Sequence, residues 1–305
     1  MLIDPLVPRT FSGWFGRVIG LCRHEFGRLA TLAAGPVVVT AAYLVALNAV
    51  RQSPQQLQQR FAEAAAGSPT GAVGPGAAFE IVFGRMLPIM SIFVVLLLVA
   101  GALYEGAGFF VVLRRAVDQP TSVGTALSFA APRVLPFIGW TLLGGLALTL
   151  VTAVPVLPGI FTHLGPLVAV GALVSVALGV LVGVTVFSSL FGVVLIERAG
   201  IARCRELIRG RFAATTGRML VAAVFYVGYS IVTGLIVSAV ASVIGAGLIT
   251  SVLQAVVMIP ALVFQVAVNL VTYAELRNRE NRSVSTRTLA AELSSSPAMA
   301  VRAAS

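Results

Sequence analysis

The chain has 305 residues, 58% of them apolar and only 10% charged, against roughly 25% charged in an ordinary soluble domain. A globule of this size has too little interior to hide so much apolar surface, so a lipid bilayer is the expected solvent. The net charge of +10 is dealt out among the loops between apolar stretches instead of forming one dense basic domain, which argues against nucleic acid and for contact with anionic lipid headgroups.

All 21 basic residues are arginine. With the enrichment in Ala, Val and Gly, this reads as the coding bias of a GC-rich bacterial genome. The expected fold is all-α and integral to the membrane. It comprises a cytoplasmic amphipathic segment (1–28), a six-span membrane domain (29–276) and a disordered cytoplasmic tail (277–305).

The N-terminal segment places Phe11, Trp14, Phe15, Val18, Leu21, Cys22 and Leu29 on one helical face and Arg17, His24 and Arg28 on another. That is an amphipathic helix with an aromatic-rich face, suited to lying at the headgroups. It is too polar, and the apolar stretch after it too long, for a cleavable signal peptide. Arg17 and Arg28 become candidate contacts for headgroups or a partner.

Spans are expected at about 29–50, 86–113, 134–160, 167–195, 219–241 and 249–273. Neither Val134–Ile196 nor Leu220–Ala274 contains a charged residue. At about 20 residues per crossing of a core about 30 Å thick, each stretch holds two spans.

Between the first two spans, Ser53 and Pro54 read as an N-cap and first helical residue, with Gly67 as a stop. The Gly- and Pro-rich run from Ser68 to Ala78 reads as flexible. Glu105 is the one acid inside a span. A charge there costs about 2.5 to 3.5 kcal/mol on insertion scales, so it is either a structural acid reaching a donor or part of a transport or proton-relay path.

Two further cytoplasmic segments each precede a pair of spans, suggesting a unit of one interfacial helix and two transmembrane helices used three times. The middle one (121–131) carries a stripe of Val123, Leu127 and Ala130. The third carries Ile201, Cys204, Ile208 and Phe212 opposite Arg198, Arg205 and Arg209. Arg203, Arg205, Arg209 and Arg211 are its candidate headgroup or partner contacts.

Pro136, Pro155, Pro158 and Pro260 are expected to kink their spans. Ser175, Gly179 and Gly183 form a small-residue ladder that lets helices approach closely.

Counting arginines near span ends leaves only Arg51, Arg60 and Arg85 on the outer side, so both termini are expected in the cytoplasm of a bacterial cytoplasmic membrane. Cys22 and Cys204 then face a reducing compartment, and no disulfide is expected. Reversible acylation of either is a minor alternative to plain burial. His163, in a tight outer turn, reads as a solvated loop histidine. The chain has no nucleotide loop, dinucleotide fingerprint, nucleophile-base pair or set of metal ligands, so neither cofactor nor enzymatic activity is expected.

Phe191–Leu220 runs through Val193-Val194-Leu195, Glu197, a small linker, the Arg-rich helix from Cys204 and Gly210-Arg211-Phe212. In this it resembles the bacterial family named for the membrane domain of glycerophosphodiester phosphodiesterases. The acid is displaced by Ile196, and Cys204-Arg205-Glu206 departs from that family's core. The resemblance implies a six-helix membrane domain standing without the catalytic barrel. The expected role is a membrane scaffold or accessory module acting through its Arg-rich helices. The alternative is a transporter or export component for a small apolar or amphiphilic solute, and a lipid enzyme comes third.

Overall fold

The computed structural model describes residues 4–8, 10–50, 53–68, 73–84, 86–162, 164–245 and 247–294, and no strand occurs among them. His163 and residues 295–305 lie outside the described residues.

Helix α1 (Phe11–His24) starts where Thr10 accepts a hydrogen bond from the Gly13 amide at 3.0 Å, and it ends with Arg23 and His24 at the negative pole of its dipole. Only Glu25 separates it from α2 (Phe26–Val50). Helix α3 (Pro54–Ala66) begins with the expected Ser53 cap and Pro54, reinforced by a reciprocal bond from Gln56, and it stops at Gly67. The run read as flexible is helical from Pro75: α4 (Pro75–Phe83) uses Pro75 as its first residue, and Phe79 and Phe83 stack one turn apart.

Helix α5 (Met86–Arg115) is the second span. The middle amphipathic segment is α6 (Val123–Ala130), which passes through one 3-10 turn at Ala131–Arg133 directly into α7 (Val134–Ala153). Its buried residues are Ala126, Phe129 and Ala130, whereas Val123 and Leu127 of the expected stripe are exposed. A second 3-10 turn at Val154–Val156 leads into α8 (Leu157–Thr162). Pro155 therefore interrupts the third span as expected. Pro136 and Pro158 do not, because each sits in the first turn of a helix, where its missing N–H has no intrahelical partner to lose.

Helix α9 (Gly165–Phe187) gives way at Ser188 and Ser189 to a short turn, α10 (Leu190–Gly192), and then to a π-helical turn at Val193–Glu197 closed by Arg198 in the left-handed region, φ 56°. The fourth span therefore changes helical geometry in its last turns. Then follow α11 (Ile201–Ile208), α12 (Phe212–Ile244), α13 (Leu248–Val256) and α14 (Ile259–Glu280). Pro260 starts α14 rather than bending a continuous span. The tail is not disordered over its first part: α15 (Thr286–Ser294) buries Leu289 and Leu293, and Asp4 accepts from the Thr286 amide at 2.9 Å and from its hydroxyl.

Among the described residues, six helical segments are long and apolar enough to cross a membrane: Phe26–Val50, Met86–Arg115, Val123–Gly159, Gly165–Glu197, Phe212–Ile244 and Leu248–Glu280. Their outward residues explain why. Leu135, Leu173, Leu235 and Val243 are 67 to 84% exposed, an apolar surface that water would not tolerate and lipid solvates.

The chain forms two compact units. The larger comprises residues 1–33, 102–229 and 260–305, and its core is α14, buried along most of its length from Ala261 to Leu276. Around it lie Phe109 and Leu113 of α5, Leu29 of α2, Leu190, and Trp14 and Val18 of α1. The apolar face of α1 is thus largely inside the protein, with Trp14 Nε1 donating to Thr272 Oγ1 at 3.1 Å; only Phe11 and Phe15 of that face stay exposed. Glycines permit the closest approaches. A Cβ on Gly192 would stand 2.1 Å from the Tyr273 ring, and one on Gly108 would stand 3.1 Å from Val266.

The small-residue ladder packs within the chain. Ser175 donates to the Thr152 carbonyl at 2.6 Å, and Gly179 abuts the Thr152 methyl, but Gly183 faces open space. The smaller unit, 34–101 and 230–259, is tied by Asn48 Nδ2 donating to Ser251 Oγ at 2.9 Å and by the Tyr43 and Phe93 rings at 5.5 Å.

Candidate functional site

Helix α14 is apolar up to Val271 except for Gln265 and Asn269, and these begin a file of polar side chains four residues apart that continues through Tyr273 and Arg277. Four residues is just over one helical turn, so these groups line one face of a helix that is otherwise core. The lower half of the file borders a groove, and the upper half holds a network of charges.

The groove has a volume of about 420 Å³ and is walled by Gly183, Phe187 and Phe191 on the fourth span, Ala222 and Tyr226 of α12, and Phe264 of α14. That volume lies in the range of small-molecule pockets, as does the character of an apolar wall with a few polar groups. The polar groups are Ser188, Gln265 and Asn269. The Ser188 hydroxyl is buried with no hydrogen-bond partner among the described residues.

Behind Asn269 lies Glu105, 4% exposed, with its Oε1 3.5 Å from Asn269 Nδ2, the outer edge of hydrogen-bond range. Its Oε2 makes no hydrogen bond, although Gln265 is close enough to interact. Gly108, one turn on, lets α5 come this near to α14, because a Cβ there would stand 3.1 Å from Val266. Glu105 is therefore neither paired with an arginine nor saturated by backbone donors. A polar group left short of partners at this depth is costly.

Above the groove the charges pair among themselves. Arg218 of α12 meets Glu275 at 2.7 Å, with side chains 6 and 3% exposed, and Arg279 meets the same carboxylate at 2.5 Å. Glu197, at the end of the π turn, accepts from Tyr273 Oη at 2.9 Å and from Arg203 Nε at 2.7 Å. Arg203 also grips Glu280 with both terminal nitrogens, at 2.7 and 2.6 Å, and touches Glu206 at 3.2 Å. Glu280 first, then Glu197, hold this guanidinium more firmly protonated than usual, against the effect of its partial burial. Arg277 closes the network through Glu292 of α15 at 2.9 Å.

The candidate arginines differ in their partners within the chain. Arg203 is the hub of an internal network, and Arg211 donates to the Arg279 carbonyl at 2.6 Å. Arg17 binds the Asp4 carbonyl at 2.7 Å, and Arg28 pairs with Glu25 at 3.0 Å. Arg205 and Arg209 do stay exposed on α11, while Cys204, Leu207 and Ile208 bury its other face.

Sequence reasoning missed Asn269, Glu275 and Arg218 as members of a site. The signal available was the four-residue polar spacing along the last span.

These features define the class: an all-α, multi-pass membrane protein with a polar-edged apolar groove within its spans. Comparison with protein-family models, curated proteins and solved structures finds no match to the chain.

Proposed function

We propose that this protein is a non-enzymatic membrane protein that admits a small apolar or amphiphilic solute into the groove of its fourth, fifth and sixth spans, as a transporter or export component. The observation that carries the reading is the buried Glu105–Asn269 pair at the edge of an apolar groove. An apolar body would fit the wall of Phe187, Tyr226 and Phe264, and a polar end would complete the hydrogen bonding that Ser188 lacks, next to Asn269, which Glu105 backs. The arginine asymmetry supports placing both termini in the cytoplasm, with Arg205 and Arg209 on that face.

The test uses a spin-labelled fatty acid as probe and the protein reconstituted in vesicles. Gly183 lines the groove and a Cβ there meets no atom within 4 Å, so Gly183→Leu narrows the groove from its wall. The immobilised component of the probe's spectrum, and any protein-dependent flux, should disappear in Gly183→Leu. Both should weaken severalfold in Glu105→Gln. An unchanged bound component in Gly183→Leu rules out the groove as the solute site.

A second reading, a scaffold acting through the cytoplasmic helices, is favoured by the exposed pair Arg205 and Arg209 alone. It predicts that Arg205→Gln with Arg209→Gln loses partners that co-purify from native membrane, and it fails if every partner stays. The likeness of 191–220 to the glycerophosphodiester phosphodiesterase membrane domain is compatible with either role.

A further inference from the structure

A second cavity, separate from the groove, lies where the start of α7 meets the end of the fourth span. Its volume is about 430 Å³, and its lining carries two guanidiniums, Arg133 and Arg198, and no carboxylate. Such a lining concentrates positive potential in a confined, partly apolar space.

The two arginines are held differently. Arg133 is 7% exposed; its Nε donates to the Leu195 carbonyl at 3.2 Å and one terminal nitrogen to the Phe129 carbonyl at 2.6 Å, while the guanidinium stacks 3.8 Å above the Phe129 ring. Arg198 is exposed and sits in the left-handed backbone region directly after the π turn, a conformation that disfavours a non-glycine residue. The two charges are near enough to repel one another. An anion between them would convert that repulsion into two attractions, and guanidinium geometry matches the paired oxygens of a phosphate.

The remaining wall is Pro132, Pro136, Trp140, Val194 and Ala199. Trp140 is pressed against Gly200, where a Cβ would stand 2.3 Å from the indole, so its ring has a fixed place beside the arginines. Consecutive spans run in opposite directions, so the start of the third and the end of the fourth lie at the same membrane surface. An aromatic ring and an apolar strip below two cations at that level match the order of a phospholipid: phosphate outside, hydrocarbon inside.

We propose that the cavity bounded by Arg133, Arg198 and Trp140 binds a phosphate ester, supplied by an anionic phospholipid of the surrounding leaflet. It is a site distinct from the solute groove and does not depend on the function assigned to that groove.

The chain has two tryptophans, so Trp14→Phe leaves Trp140 as the sole reporter. The Trp14→Phe protein is placed in nanodiscs of zwitterionic lipid containing increasing fractions of brominated lipid, either anionic or zwitterionic. Anionic brominated lipid should quench Trp140 half-maximally at a mole fraction several times lower than zwitterionic brominated lipid. Arg198→Gln, at an exposed position, and Arg133→Gln should each bring the two curves together. Reversal of the anionic quenching by millimolar inorganic phosphate at constant ionic strength would keep the phosphate site but assign its ligand to the aqueous phase. Coincident curves in the Trp14→Phe parent, with no response to phosphate, would overturn the proposal.

Discussion

Arg218 and Glu275 face each other at 2.7 Å with almost no exposure to solvent on either side chain, joining α12 to the core helix α14. A charge pair so enclosed is stabilising only while both partners are present. Removing one leaves the other desolvated, at about 3 to 5 kcal/mol. Glu275→Gln should therefore lower thermal stability in detergent by that order, and Arg218→Met likewise. The double change Arg218→Met, Glu275→Leu should be less damaging than either single one, because Arg279, a third exposed, can turn to water. Equal or greater loss in the double variant would contradict this account.

Two glycines offer a contrast. Gly192 lies against Tyr273 so closely that a methyl group would overlap the ring, whereas Gly183 has nothing within 4 Å. Gly192→Ala should cost about 1 to 3 kcal/mol through overpacking. Gly183→Ala should be neutral or stabilise by up to about 1 kcal/mol through helix propensity. Unfolding midpoints of the two variants, measured side by side, separate the effects.

The clasp between Asp4 and the start of α15 is sensitive to acid. Burial raises the Asp4 carboxyl, but hydrogen bonds from the Thr286 hydroxyl and amide and from the Val7 and Leu6 amides outweigh it and hold the group below the usual carboxylate range. A depressed native value means that the clasp stabilises above the ordinary aspartate pKa and is lost as pH falls through the lowered one. The protection of the amides in 286–294, relative to their intrinsic exchange at each pH, should be high at neutral pH and fall in acid. In Asp4→Asn it should be lower at neutral pH and lose most of that acid response.

Cysteine labelling reads burial directly. Burial pushes both the Cys22 and Cys204 thiols up to about 11, and Cys204 is fully enclosed. Two units above the ordinary thiol leaves roughly a hundredfold less thiolate at neutral pH. Maleimide should modify Cys22 slowly and Cys204 more slowly still in the folded protein. Rates should rise as pH climbs toward 11, and both thiols should react normally in denaturant. Rapid labelling of Cys204 at pH 7 would show that α11 is not seated as described. The same burial argues against acylation of Cys204.

Much of the architecture was legible in the residues. Ser53, Pro54 and Gly67 bracket α3 because capping is a local matter of backbone donors and φ angles. Local reasoning failed where a distant neighbour decided the outcome. The amphipathic stripe of α1 was read as facing lipid, but α14 supplies Thr272 as a partner for Trp14 and a protein wall in place of headgroups. The tail looked too polar to order itself, yet α15 is held by Asp4, 282 residues away in the chain. Arg203 looks like its neighbours Arg205 and Arg209 in sequence, and the carboxylates of Glu280 and Glu197 distinguish it.

Residence in the membrane and the six spans follow from the sequence alone, because transfer into lipid is close to additive over side chains and needs no knowledge of neighbours. Which acids stay unpaired, which arginines neutralise them and where a groove opens were decided by the tertiary structure. Glu105 and Asn269 are 164 residues apart, and their meeting depends on the rotation and depth of two helices against each other, which no local pattern encodes.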